Sequence, residues 1–167
     1  MTKNKFDLSI IILSWNTKQL LKSCLKSIVN SQALKVNYEI IIVDNNSTDG
    51  SRKFLKSLES KGLGYRKKPN SKPPNPISLK VIFNDKNLGF AKGNNQGIKQ
   101  AKGKYILLLN SDTEIKPKAL SRLFNYIEEN DQVAAVSPML LNMDGSNQID
   151  YYMKFPNLWQ MIFYHNG

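Results

Sequence analysis

Apolar residues fall along this chain in short dense runs, separated by polar stretches in which they recur at helical spacing. Leu8 to Trp15 (LSIIILSW) and Tyr38 to Val43 (YEIIIV) are nearly continuous and rich in isoleucine, the pattern of strands buried on both faces. Leu79 to Phe83 (LKVIF) and Tyr105 to Leu109 (YILLL) repeat the pattern, and Val133 to Val136 is a shorter fifth candidate. Between the first two runs, Leu20, Leu21, Cys24, Leu25 and Ile28 mark one face of a helix to about Asn30, with Asn16 and Thr17 as candidate caps. The second run stops at Asp44-Asn45-Asn46-Ser47-Thr48-Asp49-Gly50, which is turn and cap chemistry, so a helix is expected from about Ser51 to Lys61. Gly89, Ala91, Gly93 and Gly97 mark a helix or helix-like loop to about Ala101. Glycines spaced by four would share one face and let a backbone approach closely. Pro117 suits the first turn of a helix to about Asn130.

Strands separated by helical segments require crossover connections, and helices then cover both faces of a mostly parallel sheet. The expectation is a Rossmann-like α/β fold in one domain, 1–167. Its ligand-binding half covers about 6–138. Residues 139–167 add a hairpin (Met139 to Asn142, an Asp144-Gly145 turn, Ile149 to Tyr152) and an apolar tail (Phe155 to Tyr164).

Composition narrows the field. The chain has 167 residues, enough for one substantial core without staples. Its lone Cys24 cannot form an internal disulfide and reads as a core residue, which suits a reducing compartment. No secretory leader or membrane-spanning run is evident, so a cytosolic protein is expected. The net charge of +11 calls for a polyanionic partner: nucleic acid, phosphate-bearing substrates and anionic membrane surfaces all satisfy it. The basic, proline-rich stretch Lys61 to Lys80 reads more simply as a solvated, semi-stiff loop than as a binding patch. No nucleic-acid motif accompanies the charge, so no specific nucleic acid is expected.

In open parallel sheets, ligands bind beyond the carboxyl ends of the strands. Asn16, Asp44, Asp85 and the Asn110/Asp112 pair each follow one of the first four strands, although Asn and Asp at such places also serve as plain punctuation. Neither a dinucleotide fingerprint nor a P-loop is present, which disfavours a dehydrogenase or an NTPase. One cysteine and one histidine, His165, cannot build a zinc site. A hard cation, Mg²⁺ or Mn²⁺, stays open, because it needs only one or two carboxylates plus phosphate oxygens.

Taken together, four segments resemble family 2 glycosyltransferases of the GT-A fold. They are Leu8 to Asn16, Ile41 to Gly50 (IIVDNNSTDG), Asn87 to Gly97 (NLGFAKGNNQG), and Leu108 to Thr113 (LLNSDT), which stands where the family carries its DxD motif. The resemblance covers roughly residues 8 to 114 and implies a glycosyltransferase that moves a sugar from a UDP- or dTDP-sugar to a saccharide or lipid-linked acceptor. Asp44 would accept from the pyrimidine N3–H, and backbone around Leu13 and Ser14 would line base and ribose. Asn16, Asn87, Lys92, Asn94, Asn110 and Ser111 would complete the donor site, with Asp112 as the cation ligand. Asn110 replaces the first carboxylate of the family motif, as in rhamnosyltransferase-like members, so the cation would rest mainly on Asp112 and phosphate.

The family's general base lies in an acceptor half well beyond the DxD segment. No carboxylate here is assigned to that role, so the base is expected beyond Gly167 and the fold is expected to be truncated. A non-catalytic nucleotide-sugar-binding module is the alternative, and a nucleotidyltransferase is disfavoured for want of its glycine-rich opening loop. The aromatic tail (Phe155, Trp159, Phe163, Tyr164) fits truncation better than an interfacial helix, although peripheral contact with the inner face of a membrane is compatible with both.

Overall fold

The computed structural model describes residues 5–31, 36–63 and 78–148. The chain divides into two compact units, 1–124 and 125–167. The first is built from β1 (Phe6–Ser14), α1 (Lys18–Asn30), β2 (Tyr38–Asp44), α2 (Ser51–Lys61), β3 (Ser78–Phe83), α3 (Gly89–Gln100) and β4 (Gly103–Asn110). A further helix, α4 (Ala119–Glu129), begins there and continues into the second unit.

The sheet has the order β3-β2-β1-β4, and every neighbouring pair is parallel. The two most hydrophobic runs, β1 and β2, hold the centre, as burial on both faces demands. Alternation then divides their side chains. Ile10, Ile12, Ile40 and Ile42 join Leu21, Cys24, Leu25 and Ile28 of α1, Leu55 and Leu58 of α2 and Leu120 of α4 in one buried cluster. The other face of β1 meets α3 along its glycines. A Cβ placed on Gly93 would lie 2.4 Å from Leu13 Cδ1, and one on Gly97 would lie 2.5 Å from Ile11 Cγ2. Four residues of helix rise about 6 Å and two of strand about 6.6 Å, so the glycine spacing matches alternate strand residues.

At the opposite edge, where the strands begin, Glu39 is buried but satisfied. Its Oε1 accepts from Ser9 Oγ at 2.7 Å and from Lys102 N at 2.7 Å. Ser9 Oγ in turn accepts from Gly103 N at 2.8 Å, which fixes the start of β4.

Four expectations are corrected. Gly89 does not share the packing face of Gly93 and Gly97: it has φ +77 with nothing near a would-be Cβ, and it turns the chain into α3. Helix α4 starts at Ala119 instead of Pro117, because Lys118 adopts φ 66, outside the right-handed helical region. Thr17 stands at the N-cap of α1 but makes no cap hydrogen bond. Val133–Val136 forms no strand: a turn closed by Val133 N donating to Asn130 O precedes it, and no ladder partner meets it among the described residues.

In the second unit, the Asp144-Gly145 turn is present, with Gly145 at φ +86 and an antiparallel bridge between Leu141 and Asn147. The expected return arm from Ile149 and the apolar tail lie outside the described residues, as does most of the basic loop.

Candidate functional site

The carboxyl ends of the strands bring the expected residues to one edge. Ser14 pairs with Asp44 across β1 and β2, and Leu13 pairs with Asn110 across β1 and β4. With strands about 4.8 Å apart, Asp44 and Asn110 flank the end of β1 at roughly 10 Å from one another. Ser14 and Asp44 are fully buried, Leu13 half-buried, and Asn110 and Asp112 exposed.

Asp44 is the most unusual of these groups. Its Oδ2 accepts from Ser47 N at 3.2 Å and stands 3.5 Å from Arg52 Nη1. Its Oδ1 is buried and has no hydrogen-bond partner. A buried carboxylate oxygen without a donor is costly, so such an atom calls for a partner: a ligand, an ion or an ordered water. Arg52 is held in turn: Nη1 donates to Asn84 O at 2.7 Å and to Asn46 Oδ1 at 3.0 Å, and the guanidinium lies 5.2 Å from the centre of the Phe83 ring.

The loop after β2 is shaped by short polar side chains. Asn16 (φ 55) and Asn46 (φ 65) take left-handed conformations, which asparagine tolerates better than most residues. Asn16 Oδ1 accepts from Thr48 N at 2.7 Å, and Asn16 N donates to Ser47 Oγ at 3.0 Å, so the loops after β1 and β2 are tied together. Asp49 serves two helices: Oδ2 accepts from Lys18 N, at the start of α1, and Oδ1 from Ser51 N, at the start of α2. Partial burial alone would raise the Asp49 pKa, but the hydrogen bonds from Ser51 and from the amide of Lys18 outweigh it and hold the carboxyl below its usual value.

A cluster of amides supports the site from the α3 side. Asn45 donates through Nδ2 to Asn87 Oδ1 at 3.0 Å and to Gly89 O at 3.2 Å, and its Oδ1 accepts from Asn84 Nδ2 at 2.9 Å. Asn84 and Gln96 exchange a reciprocal pair at 2.8 and 2.9 Å. Every member is satisfied, which makes the cluster a rigid brace between β2, β3 and α3.

The Asn110-Ser111-Asp112 segment is held mainly through its first two residues. Thr17 Oγ1 donates to Ser111 Oγ at 2.9 Å, and the Cys24 thiol reaches Asn110 O at 3.7 Å. Burial, with smaller contributions from the charges of Asp112 and Glu114, pushes the Cys24 thiol up to about 12, so it is a packed donor and not a nucleophile. Asp112 faces solvent, and among the described residues no hydrogen bond or ion pair engages its carboxylate. No group of three or more His, Cys, Asp or Glu side chains converges to hold a metal among those residues. A closed protein cage for a cation is therefore absent there. A single free carboxylate at a strand end does fit a hard cation shared with phosphate oxygens.

Of the residues expected to bind a donor, Leu13, Ser14, Asn16, Asp44, Asn110 and Ser111 gather at this edge with Asp112. Asn87 stands beside them but is engaged in the amide brace. Asn94 is buried and donates to Phe90 O within its own helix, while Lys92 is exposed on α3. Sequence reasoning missed Arg52, Asn84, Gln96 and the bonding of Thr17. The amides and Thr17 sit where local chemistry already explained them, and Arg52 carried no signal beyond its charge.

Comparison with known proteins agrees with this geometry. The family model described as Glycosyl transferase family 2 matches residues 9–166. The poly(ribitol-phosphate) beta-glucosyltransferase of Bacillus spizizenii is 37% identical over 123 residues, 74% of this chain and 17% of that protein. The poly(ribitol-phosphate) beta-N-acetylglucosaminyltransferase TarP of Staphylococcus aureus is 30% identical over 124 residues, 74% of this chain and 33% of that protein. In three dimensions, S. aureus TarS 1–349 in complex with UDP superposes with a TM-score of 0.59 at 25% identity, over 75% of this chain and 33% of that one. The chain thus spans a third or less of each of these three proteins. The match along almost all of its length, together with a parallel sheet of the GT-A kind and a carboxylate at the end of its second strand, shows that the chain belongs to glycosyl transferase family 2.

Proposed function

We propose that this chain is the donor-binding portion of an inverting glycosyltransferase that takes a UDP- or dTDP-linked sugar at the carboxyl edge of its sheet. The observation that carries the reading is Asp44 Oδ1, a buried acceptor without a donor at the end of β2. A uracil or thymine ring offers an N3–H to such an atom, and the amide brace keeps the edge rigid enough to hold the ring. Ser14 and Leu13 line base and ribose from β1. The complex of TarS with UDP supports the choice of a nucleoside diphosphate.

Asp112, with Asn110 beside it, would hold a Mg²⁺ or Mn²⁺ ion against the donor diphosphate. Such an ion offsets the negative charge that builds on the departing nucleotide. Because Asn110 contributes no charge, Asp112 supplies the carboxylate of that site. Direct displacement at the anomeric carbon also needs a general base to take the acceptor proton. Asp144 is ill suited to that task, since its Oδ1 already accepts from Ser146 N at 2.9 Å and Ser146 Oγ at 2.6 Å inside one turn.

The acceptor is a saccharide or a lipid-linked molecule. The names of the two curated relatives suggest a phosphate-bearing polymer within that class, and the net charge of +11 suits one. The reaction belongs in the cytoplasm, with peripheral contact at the inner face of the membrane. No helix among the described residues is long and apolar enough to cross one. Calorimetric titration of the full chain with UDP and with dTDP tests the reading. Micromolar binding that Asp44→Ala weakens at least about tenfold is expected, and equal binding by the variant would refute it.

A further inference from the structure

Thr17 stands just before α1, where a threonine hydroxyl ordinarily accepts from an early amide of its own helix. It makes no such bond. The hydroxyl donates instead to Ser111 Oγ at 2.9 Å, across 94 positions of sequence, and lies 3.0 Å from Ser14 Oγ. The first amide of α1 is served from outside, by Asp49 Oδ2 at 2.8 Å from Lys18 N. A cap given up locally for a bond to a distant buried hydroxyl is the kind of broken local rule that marks a functional constraint.

The same helix grips the segment at two further points. The Cys24 thiol reaches Asn110 O, and Ile115 N donates to Ser27 Oγ at 2.9 Å. Thr17, Cys24 and Ser27 follow one another at helical spacing, so one side of α1 holds residues 110–115. Asp112 lies inside that span with no protein partner of its own among the described residues. Its direction is therefore set by the backbone on either side, and Ser111 is the nearer anchor.

We infer that Thr17 is a positioning residue for Asp112. Its hydroxyl fixes Ser111, and through Ser111 it aims the Asp112 carboxylate at the donor diphosphate. The inference rests on the proposed role of Asp112 as a cation ligand. Groups that orient a metal ligand cost about 10- to 100-fold in metal affinity when they are removed.

The test measures UDP affinity of the full chain in saturating MnCl₂ and again in EDTA, and takes the ratio. Thr17→Val, which keeps the shape and removes the hydroxyl, should lower that ratio about tenfold while affinity in EDTA changes less than about twofold. Thr17→Ser should restore the ratio. Ser111→Ala, which removes the acceptor, should lower the ratio as Thr17→Val does, whatever it does to affinity in EDTA, and carries the test if the valine variant does not fold. A valine variant with an unchanged ratio, while Asp112→Ala loses the Mn²⁺ enhancement, overturns the inference alone. Equal losses with and without Mn²⁺ also overturn it, since they would mark a general structural role. No Mn²⁺ enhancement in the unaltered chain would remove the cation reading and this inference together.

Discussion

Asp44 and Arg52 face one another at 3.5 Å between the end of β2 and the first turn of α2, and the contact uses only one carboxylate oxygen of Asp44. The guanidinium side chain is 30% exposed and the carboxylate is fully buried, so removing Arg52 leaves a buried carboxylate without its charged partner. Arg52→Leu should therefore lower stability by about 1–3 kcal/mol, less than for a fully buried pair because the guanidinium is partly solvated. Urea unfolding measures this, and a variant as stable as the parent would show that the pair contributes little.

The exposed carboxylate at the end of β4 makes a separate claim. Thermal stabilisation by UDP should increase with Mn²⁺ in the parent chain, and Asp112→Ala should abolish that increment while leaving the metal-free shift in place. An unchanged Mn²⁺ increment would take Asp112 out of the cation site.

The contact between α3 and β1 admits no side chain at two points. Gly93→Ala and Gly97→Ala each drive a Cβ to within about 2.5 Å of a methyl group of Leu13 or Ile11. Each should cost about 1–3 kcal/mol. Gly93→Ala should in addition weaken nucleotide binding, because Leu13 lines the site. Gly89→Ala meets no neighbour but must hold φ +77, so its cost is backbone strain alone and should leave affinity intact. Melting curves and UDP titration of the three variants separate these effects.

Asp49 predicts a pH dependence. Its folded carboxyl titrates below the ordinary value of 3.8, so the stability it adds is present in full above that value and is lost as pH falls through the lower folded pKa. Asp49→Asn should melt below the parent at pH 7, and the two curves should converge under strongly acidic conditions. A gap that persists unchanged to acid pH would mean that the charge of Asp49 is not what serves the two helices.

Much of this was legible in the sequence, for identifiable reasons. The four strands are dense apolar runs: β1 and β2 are buried on both faces, which leaves that mark whatever the partners are. In contrast, β4 exposes Ile106 and Leu108 on alternate positions, so its composition announced the strand but not its burial. Asp44 stood out because turn chemistry follows it at once, and the LLNSDT segment because it ends a strand in the place of a family motif. What the sequence hid is long-range. Thr17 looked like a helix cap, and its partner lies on β4's trailing loop. Asn84 and Gln96 looked like ordinary polar residues, and only the fold turns them into a closed amide brace. Val133–Val136 had the composition of a strand, but a strand also requires an edge to pair with, and composition carries no record of that. Gly89 shared the spacing of Gly93 and Gly97, yet spacing does not distinguish a glycine chosen for contact from one chosen for a turn.

The central claim is that Asp44 Oδ1 reads the N3–H of a pyrimidine base, and paired titrations of UDP and CDP test it most directly. Cytosine has no proton at N3, so CDP should bind at least about tenfold more weakly than UDP, and Asp44→Ala should erase that difference. Equal affinity of the parent chain for the two nucleotides, or a preference that survives in Asp44→Ala, would contradict the account.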